Sequence, residues 1–315
     1  MRRARVRATS LLIAAALALC LAPAAIRAQS AEDSRALEIA RRALDAVREG
    51  WALGRYDDAR QMRASINLRG AGSQGVTANL VVDRSSPRWR LDAAGGVGPL
   101  TLWALPDRLA LHVPALQQYA TRPGGDLAAM AGEMGRADDE VAAMRSRLDG
   151  GYGALSLAGE ETIDGAVTWR LDDRPEPGMT ASYWIDRGSY LPRRVALDRP
   201  GRRDVRIDFT YGAGPRPVRA VATVQGQRDV QVTLTPAYDA TGRVTRLQIV
   251  TLPAGGATVT TDVTFDWSPT TAADFFRFAP PVGARQVPFQ QLSQGVLLMA
   301  VGALGSLLPL LMGAS

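Results

Sequence analysis

His112 is the single histidine of the chain, and Cys20 its single cysteine. A serine triad would use such a histidine as its base, with a nucleophile on a sharp strand-to-helix turn. No Gly-x-Ser-x-Gly elbow occurs. A zinc site draws on several histidine, cysteine or carboxylate ligands, which one of each does not supply. Two adjacent acid pairs, Asp138-Asp139 and Asp172-Asp173, offer carboxylates. A glycosidase needs its two acids opposed across a bond. Neighbouring acids in or beside turn or helix segments read instead as solvated surface. Gly70-Ala-Gly-Ser-Gln-Gly75 spells the dinucleotide fingerprint. That chemistry requires the glycines to open a helix. Val76 to Asp83 alternates as a strand, so the glycines read as a hairpin loop. No catalytic set, metal site or cofactor is expected, and the chain reads as a non-enzyme. His112 reads as a solvated or hydrogen-bonded side chain on the polar face of a strand.

The elements around these residues follow from hydrophobic period. Asp33 to Gly50 carries Leu37, Ala40, Leu44 and Val47 at helical spacing, with Asp33 or Ser34 to cap it and Gly50 to end it. The period then becomes two. Leu80 and Val82, Trp89 and Leu91, and Leu109, Leu111 and Val113 each share one face of a predicted strand. So do Tyr183 and Ile185, and further pairs continue to Val263 and Phe265. Alternation of this kind marks strands with one dry and one wet face. Asp164-Gly165, Arg187-Gly188, Pro200-Gly201, Thr241-Gly242 and Gly255-Gly256 mark the turns. Asp126 to Leu148 interrupts the series with a methionine-containing helical pattern bracketed by glycines. It reads either as a lid or as a helix packed on the sheet.

The ends read differently. Met1 to Arg7 is basic, Leu11 to Leu21 is apolar, and Ala28 offers a cut, the pattern of a secretory signal peptide over residues 1–28. A lipoprotein signal ending at Cys20 is the alternative. All 37 basic residues are arginine, and five of them leave with the signal, so the net charge falls from +6 to +1. A nearly neutral chain has no electrostatic footprint for nucleic acid. Without Cys20 the exported chain has no thiol and must be held together by burial. One β-rich domain is expected over residues 29–288. Residues 289–315 carry no charge after Arg285 and read as an apolar C-terminal helix. Three readings stand for it: a membrane anchor, a helix docked on the protein itself, and a partner-binding segment.

Three segments, in order, resemble the LolA/LolB lipoprotein-carrier superfamily, in particular its predicted periplasmic branch. They are Asp107-Arg-Leu-Ala-Leu-His-Val-Pro-Ala-Leu-Gln-Gln-Tyr119, Tyr183-Trp-Ile-Asp-Arg-Gly-Ser-Tyr-Leu-Pro-Arg-Arg-Val195, and Phe276-Arg-Phe-Ala-Pro-Pro-Val-Gly-Ala284. The resemblance implies a mainly β fold with α, a curved incomplete antiparallel β-barrel covered by helices. It implies a non-catalytic envelope protein that holds lipid or lipoprotein acyl chains in an apolar cavity, as carrier or sensor. A periplasmic location, with membrane association through residues 295–315, goes with it. The expected cavity residues are Leu80, Val82, Arg84, Trp89, Leu91, Leu109, Leu111, Val113, Tyr183 and Ile185. Arg84 matches a carrier arginine that holds the lid, though Arg84-Ser-Ser-Pro87 stands here in place of Arg-Pro, and a plain surface arginine is the competing reading. The carriers are shorter than this chain, whose extra strands lie around Val218 to Val250. The alternative function is a protein–protein interaction module of the envelope with a filled core and no ligand.

Overall fold

The computed structural model describes residues 31–51, 59–70, 75–95, 98–124, 155–176, 178–198, 204–225 and 229–293. The predicted signal (1–28), the methionine-containing helix (126–148) and the tail from 294 onward lie outside the described residues.

Helix α1 (Ala31–Gly50) buries Leu37, Leu44 and Val47 of the expected stripe, and also Ala36, Ile39 and Ala43. It begins at Ala31, so Asp33 stands in the first turn, where an acid meets the positive end of the helix dipole, rather than at the cap. Gly50 ends it because the chain passes close to its neighbour there. A Cβ at Gly50 would lie 2.8 Å from Pro215 Cβ. The next residue, Trp51, packs its ring on Phe209 at 5.7 Å between centroids.

The strands are β1 (Gln61–Gly70), β2 (Val76–Asp83), β3 (Arg88–Gly95), β4 (Gly98–Ala104), β5 (Arg108–Val113), β6 (Gln118–Pro123), β7 (Ser156–Ile163) and β8 (Ala166–Glu176). There follow β9 (Met179–Asp186), β10 (Pro192–Asp198), β11 (Asp204–Tyr211), β12 (Pro217–Gln225), β13 (Val230–Tyr238), β14 (Val244–Pro253), β15 (Val259–Asp266) and β16 (Arg285–Gln286). They form one 16-stranded sheet in the order β16-β6-β5-β4-β3-β2-β1-β15-β14-β13-β12-β11-β10-β9-β8-β7. The chain meanders from β1 out to β6, resumes at the opposite edge with β7, and meanders back until β15 pairs with β1. Every pairing is antiparallel except β16 beside β6. The predicted turns at 164–165, 187–188, 241–242 and 255–256 each join neighbouring strands; the turn at 200–201 lies outside the described residues. Gly70 to Gly75 joins the antiparallel partners β1 and β2, as a hairpin rather than a helix start. At Asp164-Gly165 both residues have positive φ, 49° and 78°. That is the two-residue turn whose twist suits a hairpin. Gly165→Ala is expected to cost about 1 kcal/mol, measured as a lower midpoint in urea unfolding.

Parity sets the faces. Leu157, Leu171, Tyr183, Val195, Ile207, Ala222 and Val232 are direct partners, strand to strand, across β7 to β13. With α1 they make the main core, which also takes in Met62, Ala64, Leu234, Ile249 and Val263.

The expected covering by helices does not hold. Among the described residues α1 is the one long helix, and the sheet is open rather than closed into a barrel. The reason is dimensional. A 20-residue helix is roughly 30 Å long, whereas sixteen strands span roughly 70 Å, so α1 covers only part of one face. No apolar C-terminal helix is seen either among the described residues. Helical backbone runs over residues 289–293, and residues 294–315 lie outside them.

Asp172 and Asp173 were expected in or beside a turn; both lie within β8. Asp172 accepts from Arg170 at 2.9 Å and from the Ser182 hydroxyl at 2.7 Å. At the free edge, β7 carries Glu160 and Glu161 and a bulge between Leu157 and Gly159. Charge and bulge both discourage a second sheet from adding there.

Candidate functional site

The apolar face of β1 to β6 is laid out in rungs of direct partners. One rung runs Met62–Val82–Trp89–Ala104–Leu109–Arg122, the next Ala64–Leu80–Leu91–Leu102–Leu111–Ala120, and the third Ile66–Ala78–Ala93–Leu100. The two ends of this face are covered. On one side Met62, Ala64 and Val82 join the core under α1. On the other, Leu111, Val113 and Ala120 are covered by Val287 and Leu292, with Phe289 beside them.

Between these clusters the cover stops. Ile66, Ala78, Leu80, Trp89, Leu91, Ala93, Leu100 and Leu102 are all only half-buried. They form a contiguous aliphatic patch with one indole at its margin. Scattered exposed apolar residues are ordinary, but a contiguous patch marks a surface that meets something apolar.

Of the expected cavity residues, Leu80, Trp89 and Leu91 lie in this patch. Val82, Leu109, Leu111 and Val113 share its face but are buried, at its margins. Tyr183 and Ile185 are buried on β9, in the core under α1, and are not brought together with the patch. Arg84 does not extend the strand. β2 ends at Asp83, and Arg84 stands in the turn. Its backbone N–H donates to Arg60 O at 2.8 Å and its Nη1 to Ala59 O at 3.1 Å, which ties the turn to the start of β1. Ile66, Ala78, Ala93, Leu100 and Leu102 were missed from the sequence. Their parity with Leu80 and Leu91 was a usable signal; their exposure was not legible.

Each of the three sequence motifs has a structural task. In the second, the Asp186 carboxylate accepts from the backbone N–H groups of Gly188 (2.9 Å) and Ser189 (2.8 Å). It also takes a two-pronged contact from Arg193, at 3.1 and 2.9 Å. Burial works to raise its pKa, but these hydrogen bonds outweigh burial and hold it below the ordinary aspartate value. Asp83 repeats the arrangement with Ser85, Ser86 and Arg88, and its pKa is lowered on the same balance. The third motif crosses the polar face of β3 to β6. Arg90 lies over Phe275 and donates to its carbonyl at 3.1 Å. Arg88 lies over Phe276, and Phe278 packs on Trp103 and Tyr119. The chain then rounds the sheet edge as β16 and reaches the apolar face at Val287. In the first motif, Asp107 and Arg108 make an exposed ion pair at the turn into β5.

His112 sits on the polar face between its partners Thr101 and Tyr119. Burial pushes its pKa down, which favours the neutral ring. Among the described residues no cluster of three metal-ligating side chains occurs, and no helix is long and apolar enough to cross a membrane.

No family model matches the chain, and no curated protein matches it. Solved structures do. An uncharacterized conserved protein from Thermus thermophilus is 14% identical, with a TM-score of 0.28, over 79% of this chain and 98% of its own. A DUF1329 family protein from Desulfovibrio piger is 13% identical, with a TM-score of 0.30, over 79% and 98%. A LolA superfamily protein from Nitrosomonas europaea is 12% identical, with a TM-score of 0.27, over 72% and 96%. No residue role is carried over from any of them.

Proposed function

We propose that this protein is a non-catalytic protein of the bacterial envelope that binds the acyl chains of a lipid or lipoprotein on the open apolar patch of β1 to β4. The patch carries the reading. Eight half-buried apolar residues lie side by side in an otherwise buried face, with aliphatic side chains that select by shape and dryness rather than direction. The same four strands contribute to a polar groove on their reverse side, so the patch is an open surface rather than a walled cavity. The basic, apolar and small-residue pattern at the N-terminus supports export to the periplasm.

A second reading, an interaction module with no ligand, draws support from the core under α1, which is filled by its own side chains. One experiment separates the two. Purified protein is extracted for lipid mass spectrometry, then re-exposed to phospholipid vesicles containing palmitoyl chains. Retained acyl lipid is expected, with binding at least tenfold weaker in Leu91→Arg, a change at a half-exposed site that leaves the core intact. If no lipid is extracted and none is taken up, the acyl reading fails. A protein cross-linked through position 91 in the absence of lipid would install the second.

A further inference from the structure

A groove of about 690 Å3 opens on the polar face of β1 to β4 together with β14 and β15. It is separate from the apolar patch and independent of the acyl reading. Its floor is a rung of direct partners across six strands: Arg246, Thr264, Ser65, Asn79, Asp92 and Thr101. Beside it runs a second rung, Asp262, Asn67 and Thr77. Adjacent strands place these groups about 4.8 Å apart. The result is an array of hydroxyls, carboxamides and carboxylates.

The charges in this array are already compensated. Asp92 accepts from Arg90 at 2.9 Å and from the Thr101 hydroxyl at 2.8 Å. Asp262 accepts from Arg246 at 2.8 Å and from Gln248 at 3.3 Å. Arg69 leans on Asn67 Oδ1 at 3.4 Å. One group is not compensated: Asn79 Oδ1 is buried and has no hydrogen-bond partner within the protein. Buried acceptors are nearly always paired, and an orphan is costly to the fold. An acceptor left open at the floor of a groove fits a ligand that brings a donor.

The array also sets the ligand's chemistry. Closely spaced donors and acceptors without a bare charge suit many hydroxyl groups and select against a strong anion. No aromatic ring is among the lining residues, so recognition runs through hydrogen bonds rather than stacking. The volume lies in the range of small-molecule sites. We propose that the groove binds a neutral saccharide, with Asn79 Oδ1 accepting a ligand hydroxyl and Ser65, Thr77 and Thr264 completing the contacts.

The test applies the purified full chain to an array of neutral and anionic glycans, followed by titration of the retained sugars. Retention of neutral glycans is expected, and Asn79→Leu should weaken it at least tenfold. Because that change removes an orphaned acceptor, its Tm should be equal to or above that of the parent; a merely structural asparagine would show a fall. Should Asn79→Leu fold poorly, the pair Ser65→Ala and Thr264→Val serves instead, with the same loss expected. No retained glycan, retention of anionic glycans alone, or full binding by these variants would overturn the proposal. Lipid uptake at the opposite face should be unchanged in all of them.

Discussion

Asp186→Ala is expected to destabilise the protein by about 3 kcal/mol, seen as a fall in Tm of roughly 6–12 °C. The carboxylate is only 9% exposed and serves a whole turn at once. It satisfies the backbone N–H groups of Gly188 and Ser189, and it holds Arg193 against the ring of Tyr211. Alanine leaves those donors unanswered and Arg193 without its partner. Asp186→Asn keeps an acceptor for the turn but loses the charge, so about half the loss is expected. The same carboxylate makes stability depend on pH. Its folded pKa lies below the unfolded value, as does that of Asp83. Between the two values the unfolded chain binds more protons, so stability rises with pH. The contribution is fully present above the ordinary aspartate pKa of about 3.9 and is lost as pH falls through the depressed folded values. In acid unfolding followed by circular dichroism, the double variant Asp83→Asn, Asp186→Asn should be less stable at neutral pH and flatter below pH 4. An unchanged acid slope would remove these two groups as its source.

Leu171→Ala is expected to cost about 3 kcal/mol, read from the denaturant midpoint at unchanged slope. Leu171 is 2% exposed and stands between Leu157 and Tyr183 on the rung that faces α1. Alanine leaves a cavity that neighbours on both sides can fill only in part. Leu91 has the same side chain on the same face of the same sheet, yet it is half-exposed. Leu91→Ala should cost less than about 1 kcal/mol, since little area is removed from water. The contrast between the two leucines measures where the cover of the sheet ends. Equal losses would mean that the patch is buried in solution.

The local pattern carried far. Alternation at Leu80 and Val82, at Leu109 to Val113 and at Tyr183 and Ile185 assigned each to a strand and to the apolar face. That follows because a period of two is a property of the backbone alone. Gly-containing turns marked the hairpins for the same reason. The three motifs were legible as residues, but their tasks were not. Asp186 and Arg193 build a turn, and Phe276 and Phe278 hold the chain across the polar face. In each case the partner is fixed by folding rather than by spacing.

Other features depended on which strands meet. No local signal places β15 beside β1, because the pairing of Ser65 with Thr264 joins residues far apart in the chain. That pairing alone unites the two halves of the polar groove and leaves Asn79 at its floor. Burial was equally hidden. Periodicity says which face of Leu91 is apolar, but the reach of α1 and the return of Val287 and Leu292 decide how much of that face stays open. Sequence by itself therefore determined strands, turns, faces and the expectation of export. Tertiary structure decided the open sheet, the uncovered patch and the polar groove, because each is made by contacts between segments whose separation no local period records.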